Sequence, residues 1–255
     1  MKEQTHEEFL TQRTYSIGAS DAPILMGTNN KYNTPYSVWL QKTHRVPVET
    51  KMSGPALRGH ELEPRARSLY SIVTGIDMTP TRWVHPKYEF ITASYDGLNM
   101  DAKIALEIKC PFNRKDHELA IEGTAPEKYI DQLQHQYMVN EELEQIHYFS
   151  YDDRDDTYAL IEVPRDTARG YEILAKELRF WDMVKKDEQP ALMEQDYWIV
   201  EDKCIKDFFL DYTKEHRLHA LARLEEYTNI HKKLVIGDYK IWVNKKGSTT
   251  IRSMV

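Results

Sequence analysis

Ser94-Tyr95-Asp96-Gly97, followed by Leu106-Glu107-Ile108-Lys109, decides how this chain is read. Residues 103–109 (Lys-Ile-Ala-Leu-Glu-Ile-Lys) predict a short strand with Ile104, Leu106 and Ile108 on one face. Side chains alternate across a strand, so Glu107 and Lys109 share the other face, about 7 Å apart along it. A hard cation such as Mg²⁺ takes carboxylate oxygens, and a neighbouring ammonium orients or deprotonates the attacking water. Asp96, Glu107 and Lys109 therefore point to metal-assisted hydrolysis of a phosphodiester. The bland alternative is an exposed hairpin decorated with charges, because Asp…Glu-x-Lys patterns recur by chance.

Around this stretch the pattern alternates between strands and helices. Upstream, residues 5–12 suit a short helix, and Ser20-Asp21-Ala22-Pro23 opens another that stops near Gly27. Thr34-Pro35 opens a third. Residues 54–74 predict a longer helix that buries Leu57, Leu62, Ala66, Leu69, Tyr70 and Val73, bends at Pro64 and stops at Gly75. Strands are expected at 81–84 and 88–94, then at 145–151 and 157–163, with helices at 114–122, 126–140 and 166–187. Helices thus flank a mixed central sheet, an α/β (or α+β) class.

The chain has 255 residues, 41% apolar and 29% charged, which fits one large domain or a domain with an appendage. No apolar run approaches the ~20 residues that cross a bilayer, and Met1–Glu8 lacks the apolar segment of a secretory signal. Cys110 and Cys204 have no paired spacing and supply too few thiols for a structural zinc or an iron–sulfur cluster. Reduced thiols in a cytoplasmic protein are the expectation. The net charge of −7 argues against nucleic-acid binding over the whole surface. Residues 203–255 are different, with eleven Lys/Arg against six Asp/Glu. We therefore expect a main domain over 1–202 and a basic appendage over 203–255, built from a helix at 204–231 and a small hairpin from 233–243 and 248–252.

Two further elements bear on chemistry. Glu63, in Arg58-Gly59-His60-Glu61-Leu62-Glu63-Pro64, lies where a third carboxylate can reach a metal, although a solvated helix residue is the commoner case. Asp131–Met138 places amides at Gln132, Gln134 and Gln136 on a helix; Gln132 and Gln136 share a face while Gln134 points elsewhere.

Five pieces of the chain, in order, resemble the YqaJ-type viral recombinases, the group that includes the phage lambda exonuclease, within the PD-(D/E)xK nuclease superfamily. They are Arg13…Ile17-Gly18-Ala19-Ser20-Asp21; Gly59-x-Glu61-Leu62-Glu63-Pro64; Ala93-Ser94-Tyr95-Asp96-Gly97-Leu98; Leu106-Glu107-Ile108-Lys109-Cys110-Pro111; and Gln132-Leu133-Gln134. The resemblance implies a restriction-endonuclease-like fold and DNA cleavage with one or two Mg²⁺ ions, or Mn²⁺ in their place. It makes Asp96, Glu107 and the main-chain carbonyl of Ile108 metal ligands, Glu63 a ligand near a second ion, and Lys109 the residue that positions water. It also assigns Arg13, Ser20, Ser94 and Gln134 to a pocket for a 5′-terminal phosphate. Arg114 and Lys115, just past the site, are candidates for contact with the DNA backbone. Tyr95 departs from the pattern, which usually has proline before the aspartate.

The activity this resemblance implies is that of a 5′→3′ exonuclease acting on ends of double-stranded DNA, leaving 3′ overhangs for a single-strand annealing partner in phage-type recombination. It would work in the host cytoplasm if phage-encoded. Relatives of this kind form trimeric rings. Two alternatives stand beside it: an internal-cutting or structure-specific endonuclease of the same superfamily, and a non-catalytic scaffold that binds DNA ends.

Overall fold

The structure, a computed structural model, describes residues 13–29, 33–46, 54–191, 193, 196, 234–236, 239–243 and 249–253. It divides into two compact units, Met1–Pro190 and Ala191–Val255. The helices expected at 5–12 and 204–231, Cys204 and the boundary expected after residue 202 all fall outside the described residues.

The first unit opens with β1 (Ile17–Gly18), a single 3₁₀ turn (Ala19–Asp21) and α1 (Ala22–Met26). Gly27 ends α1 at φ 85°, a left-handed position that costs glycine little. α2 (Pro35–Lys42) starts as its sequence requires: the Thr34 hydroxyl caps the Ser37 amide, and Pro35 sits in the first turn, where a missing N–H costs nothing. α3 (Gly54–Thr74) comes next, stopped by Gly75 at φ 73°. Then come β2 (Thr79–Val84), β3 (Ile91–Leu98), β4 (Ile104–Lys109), α4 (Arg114–Ile121), α5 (Glu127–Val139), β5 (Gln145–Asp152), β6 (Thr157–Val163) and α6 (Thr167–Lys186).

Strands β1 to β6 form one mixed sheet in the order β1-β3-β4-β5-β6, with β2 also on β3. β4 and β5 are parallel, joined through α4 and α5; β3–β4 and β5–β6 are antiparallel. One face is covered by α5 and α6, where Ile91, Ala93 and Tyr95 meet Leu133, Tyr137 and Ile173. α3 covers the other, where Ala66 and Tyr70 meet Leu106, Ile108, Phe149 and Tyr151. Full burial of side chains this size is worth about 1.5–3 kcal/mol each, so the two packed faces hold β4 rigidly at the centre.

Two expectations need correction. Leu57 and Val73 are not buried: they are 46% and 41% exposed, and only Ala66 and Tyr70 of the expected positions are fully buried. Leu57 lies nine residues from Ala66, half a turn round the helix, and α3 offers the sheet a single stripe. β3 also runs further than 94, so Asp96 lies within a strand and the hairpin turns at Asn99–Lys103.

In the second unit, Leu234–Ile236 (β7), Tyr239–Val243 (β8) and Thr249–Ser253 (β9) pair as an antiparallel three-stranded sheet, not a two-stranded hairpin. Ile236 pairs with Tyr239, so β7 and β8 both come from the stretch 233–243, on either side of Gly237-Asp238, which the sequence marks as a turn signal.

Candidate active site

The site lies where the sheet opens. β2 pairs with β3 from Thr92 to Leu98, which leaves the other edge of β3 to β1 and β4. β1 takes Ile91 and Thr92, and β4 takes Gly97 and Leu98. Residues 93–96 of β3 therefore face a gap between β1 and β4. The β2–β3 register also slips between Thr79↔Leu98 and Thr81↔Tyr95, giving β3 one extra residue around Asp96 and Gly97. Such a bulge re-aims a side chain. Gly97 is required here, because a Cβ would stand 2.6 Å from the Met78 Cβ.

Asp96 turns into the gap, and its Oδ2 accepts from the Ile108 amide at 2.7 Å. In an extended strand the N–H and C=O of one residue point the same way, so the Ile108 carbonyl faces the same side. Glu107, only 2% exposed, faces α5 and is surrounded by donors. Its Oε1 accepts from Lys109 Nζ at 2.5 Å and from Gln132 Nε2 at 2.6 Å, and its Oε2 from Gln136 Nε2 at 2.5 Å. Gln132 and Gln136 are one helical turn apart, which brings both amides to one carboxylate. Tyr95, where the resemblance expects proline, donates from its hydroxyl to the Gln136 main-chain carbonyl at 2.8 Å and ties β3 to α5.

Burial pushes the Asp96 carboxyl well above its ordinary range, and the Glu107 and Glu63 charges add to the rise against the pull of Lys109. For Lys109, burial works against the ammonium, but Glu107 and Asp96 outweigh it and raise the pKa. Lys109 is therefore a fixed cation, suited to orienting water and countering charge, not to removing a proton. Its Nζ also lies 4.9 Å from the Tyr129 ring centroid. Burial drives the Cys110 thiol up to about 12, so it stays protonated beside the site.

Glu63 is within electrostatic reach of Asp96 but is held on α3 by an ion pair with Arg67. Arg67 also donates from Nε to the Asp96 carbonyl at 2.6 Å. Among the described residues, no three His, Cys, Asp or Glu side chains converge to hold a metal by themselves. The donor set nonetheless fits a hard cation. Asp96, Glu107 and the Ile108 carbonyl are all oxygen donors, and Mg²⁺ typically keeps several waters beside one or two carboxylates. A cation there would also offset the burial and the repulsion that raise Asp96.

Next to this centre is a hollow of about 130 Å³, lined by Arg13, Ser20, Arg82, Thr92, Ser94 and Gln132 together with the main chain around Gly18. Arg13 donates to Ser20 Oγ at 3.0 Å. Three of the four residues expected at a phosphate pocket thus meet, and Gln134 does not. Gln134 is buried on another side of α5, where its amide donates to the Pro164 carbonyl at 2.9 Å and accepts from the Asp166 amide at 2.8 Å. Its neighbour Gln132 takes the place at the pocket. Because Gln132 also donates to Glu107, it connects the pocket to that buried carboxylate. Arg114 is held by Asp155 at 2.8 Å, while Lys115 has no side-chain partner among the described residues. Arg67, Tyr129 and Arg82 carry no signal in the sequence; only the three-dimensional register brings them to the site.

A mixed sheet flanked by helices, with Asp96, Glu107 and Lys109 where β3 and β4 part, defines a protein of the PD-(D/E)xK nuclease class. Within that class, residues 8–142 match the YqaJ-like viral recombinase domain, and the chain belongs to that family. It is 33% identical over 195 residues, 74% of its length, to the uncharacterized protein YqaJ of Bacillus subtilis (strain 168), and spans 60% of that relative's length. Among solved structures it is similar to the alkaline exonuclease LHK-Exo of Laribacter hongkongensis, with a TM-score of 0.62 and 29% identity over 71% of this chain and 94% of that one. The same figures hold for LHK-Exo in complex with dAMP. No helix among the described residues is long and apolar enough to cross a membrane.

Proposed function

We propose that this chain is a Mg²⁺-dependent exonuclease that degrades one strand of duplex DNA from a 5′-phosphorylated end, leaving a 3′ overhang. Mn²⁺ is the expected substitute metal. One observation carries the reading: the pocket of Arg13, Ser20, Ser94 and Gln132 adjoins the carboxylate centre. Ser94 and Asp96 are two residues apart on β3, within about 7 Å along the strand, comparable to the spacing of successive phosphates in an extended polynucleotide. A terminal phosphate in the pocket sets the first phosphodiester over Asp96 and Glu107. Family membership and the likeness to an alkaline exonuclease, one form of which holds dAMP, support the same reading.

Asp96, Glu107 and the Ile108 carbonyl would hold the cation, with Glu63 available to a second ion if it leaves Arg67. The chemistry supplied by a bound divalent cation is Lewis acidity toward the scissile phosphate and a lowered pKa of water. Lys109, fixed as an ammonium, orients the attacking water and counters charge that grows on the phosphorane oxygens. Gln132 and Gln136 keep Glu107 in place, and Arg67 fixes the main chain of Asp96. Three copies closed into a ring around duplex would make digestion processive, and the 3′ strand would pass to a single-strand annealing protein in the cytoplasm of the host.

Digestion of end-labelled linear duplex with Mg²⁺ tests the proposal. Wild type should release 5′ mononucleotides, faster from 5′-phosphate than from 5′-hydroxyl ends, and Lys109→Ala should be slowed at least ~100-fold. Equal cutting of closed circular and linear DNA would favour the endonuclease, and equal rates for wild type and Lys109→Ala would place the chemistry elsewhere.

A further inference from the structure

Arg82 lies within β2, directly opposite Ser94 in the antiparallel register. Directly opposed residues present their side chains on the same face, and both line the pocket beside Arg13, Ser20 and Gln132. Arg82 is exposed, and among the described residues its guanidinium has no hydrogen bond, ion pair or ring contact. Its neighbours around the site are different: Arg58, Arg67, Arg114 and Arg154 are each held by a carboxylate. A strand position that keeps an arginine uncommitted at the mouth of a pocket keeps it available to an anion.

Charge gives that availability a purpose. Behind the pocket, Lys42 and Asp21 form a buried pair at 2.8 Å, and Lys42 also donates to the Arg13 carbonyl at 2.7 Å. Asp21 also pairs with Arg13 at 3.6 Å, so Lys42, Arg13 and Asp21 together carry one net positive charge. Arg82 makes it two. An internal phosphodiester carries one negative charge, whereas a terminal phosphomonoester carries about 1.5–2 at neutral pH. A guanidinium is also suited to bidentate contact with phosphate oxygens.

We propose that Arg82 is the specificity-determining residue through which this pocket distinguishes a terminal phosphomonoester from a phosphodiester. The inference rests on the exonuclease reading, and adds to it the group that reads the second charge of the end. Arg13 and the serines bind a phosphate of either kind; Arg82 makes the terminal one preferred.

The probe is a linear duplex whose 5′ end bears a free phosphate, a phosphate monomethyl ester or a hydroxyl. Binding is measured by fluorescence anisotropy in EDTA, and digestion is followed separately with Mg²⁺. Wild type should prefer the free phosphate over the methyl ester. Arg82→Ala should weaken binding to the free phosphate by about 10- to 100-fold, remove the preference over the methyl ester, and affect the hydroxyl end least. Arg82→Lys should retain part of the preference. Because Arg82 is exposed, thermal denaturation of the variants should match wild type. A loss of equal factor on all three ends, or a wild type that binds all three alike, overturns the proposal. If the binding preference follows Arg82 but no Mg²⁺-dependent nucleotide release occurs from any end, the exonuclease reading fails and the role of Arg82 in reading the end stands.

Discussion

Replacing Asp96 by asparagine should make the protein more stable without divalent metal while removing its activity. Glu107 is near enough to Asp96 for its charge to raise the Asp96 carboxyl. Charges that act on one another in this way stand within about 4–6 Å. Two like charges at that separation and an effective dielectric of about 20 repel by roughly 3 kcal/mol. Lys109 returns part of this, so Asp96→Asn should stabilise by about 1–2 kcal/mol, within the range usual for relieving strain at a functional site. Asparagine still offers an oxygen to the Ile108 amide, so the local hydrogen bond survives. For a unit of this size each kcal/mol moves Tm by about 2–4 °C, so a rise of roughly 2–8 °C in EDTA at pH 7–8 is expected. The pH dependence has a defined sign. The folded-state pKa of Asp96 lies above its unfolded value, so its ionisation costs the folded state. The gap between variant and wild type therefore opens as pH rises above the ordinary carboxylate range and closes below it, where both side chains are neutral. Adding Mg²⁺ should raise the Tm of wild type and narrow the gap, because ligand binding stabilises only the form that binds it. Calorimetry across pH, with and without Mg²⁺, reads all of this. A variant less stable than wild type in EDTA at neutral pH, or equal Mg²⁺ shifts in both proteins, would refute the assignment of Asp96 to a cation site.

Gln136→Leu should destabilise by about 1–3 kcal/mol, because it strips a donor from the buried Glu107 carboxylate; removing the side-chain Oε1, which has no partner among the described residues, offsets part of this. It should lower nuclease activity about 10- to 100-fold and raise the Mg²⁺ needed for half-maximal rate, as loss of a ligand's supporting hydrogen bond does; a metal titration of activity checks it. Asp152 accepts from the side chain of Arg154 and holds a pKa of about 2 despite its burial. Its contribution to stability is present above about pH 4 and is lost as pH falls toward 2, so Asp152→Asn should flatten the acid limb of urea denaturation by about 1–2 kcal/mol.

Much of the fold and centre is legible in the sequence because it depends on local periodicity. Leu106 and Ile108 alternate with Glu107 and Lys109, and β4 places them on opposite faces as alternation requires. Features that depend on long-range register are not legible. Arg82 and Ser94 are twelve positions apart, and nothing local says that they face each other. The bulge at Asp96–Gly97 is equally invisible, because it is a mismatch between two strands and not a property of either. Gln134 shows the reverse error. A motif match assigns it to the phosphate pocket, although helical geometry already separates it from Gln132 and Gln136. Tyr95, an anomaly in the sequence, has a role only when α5 is packed against β3.

Pro64 sits inside α3 with no N–H to give, so the carbonyl one turn before it loses its usual partner. The Glu63–Arg67 ion pair spans that weak point as an (i, i+4) clasp, while Arg58 near the helix start is moored to Asp153 in the β5–β6 turn. α3 is thus anchored on both sides of Pro64. Under the proposed function, a second cation that drew Glu63 away from Arg67 would unfasten the clasp, so metal occupancy and the stiffness of α3 at Pro64 would become a single mechanical coordinate.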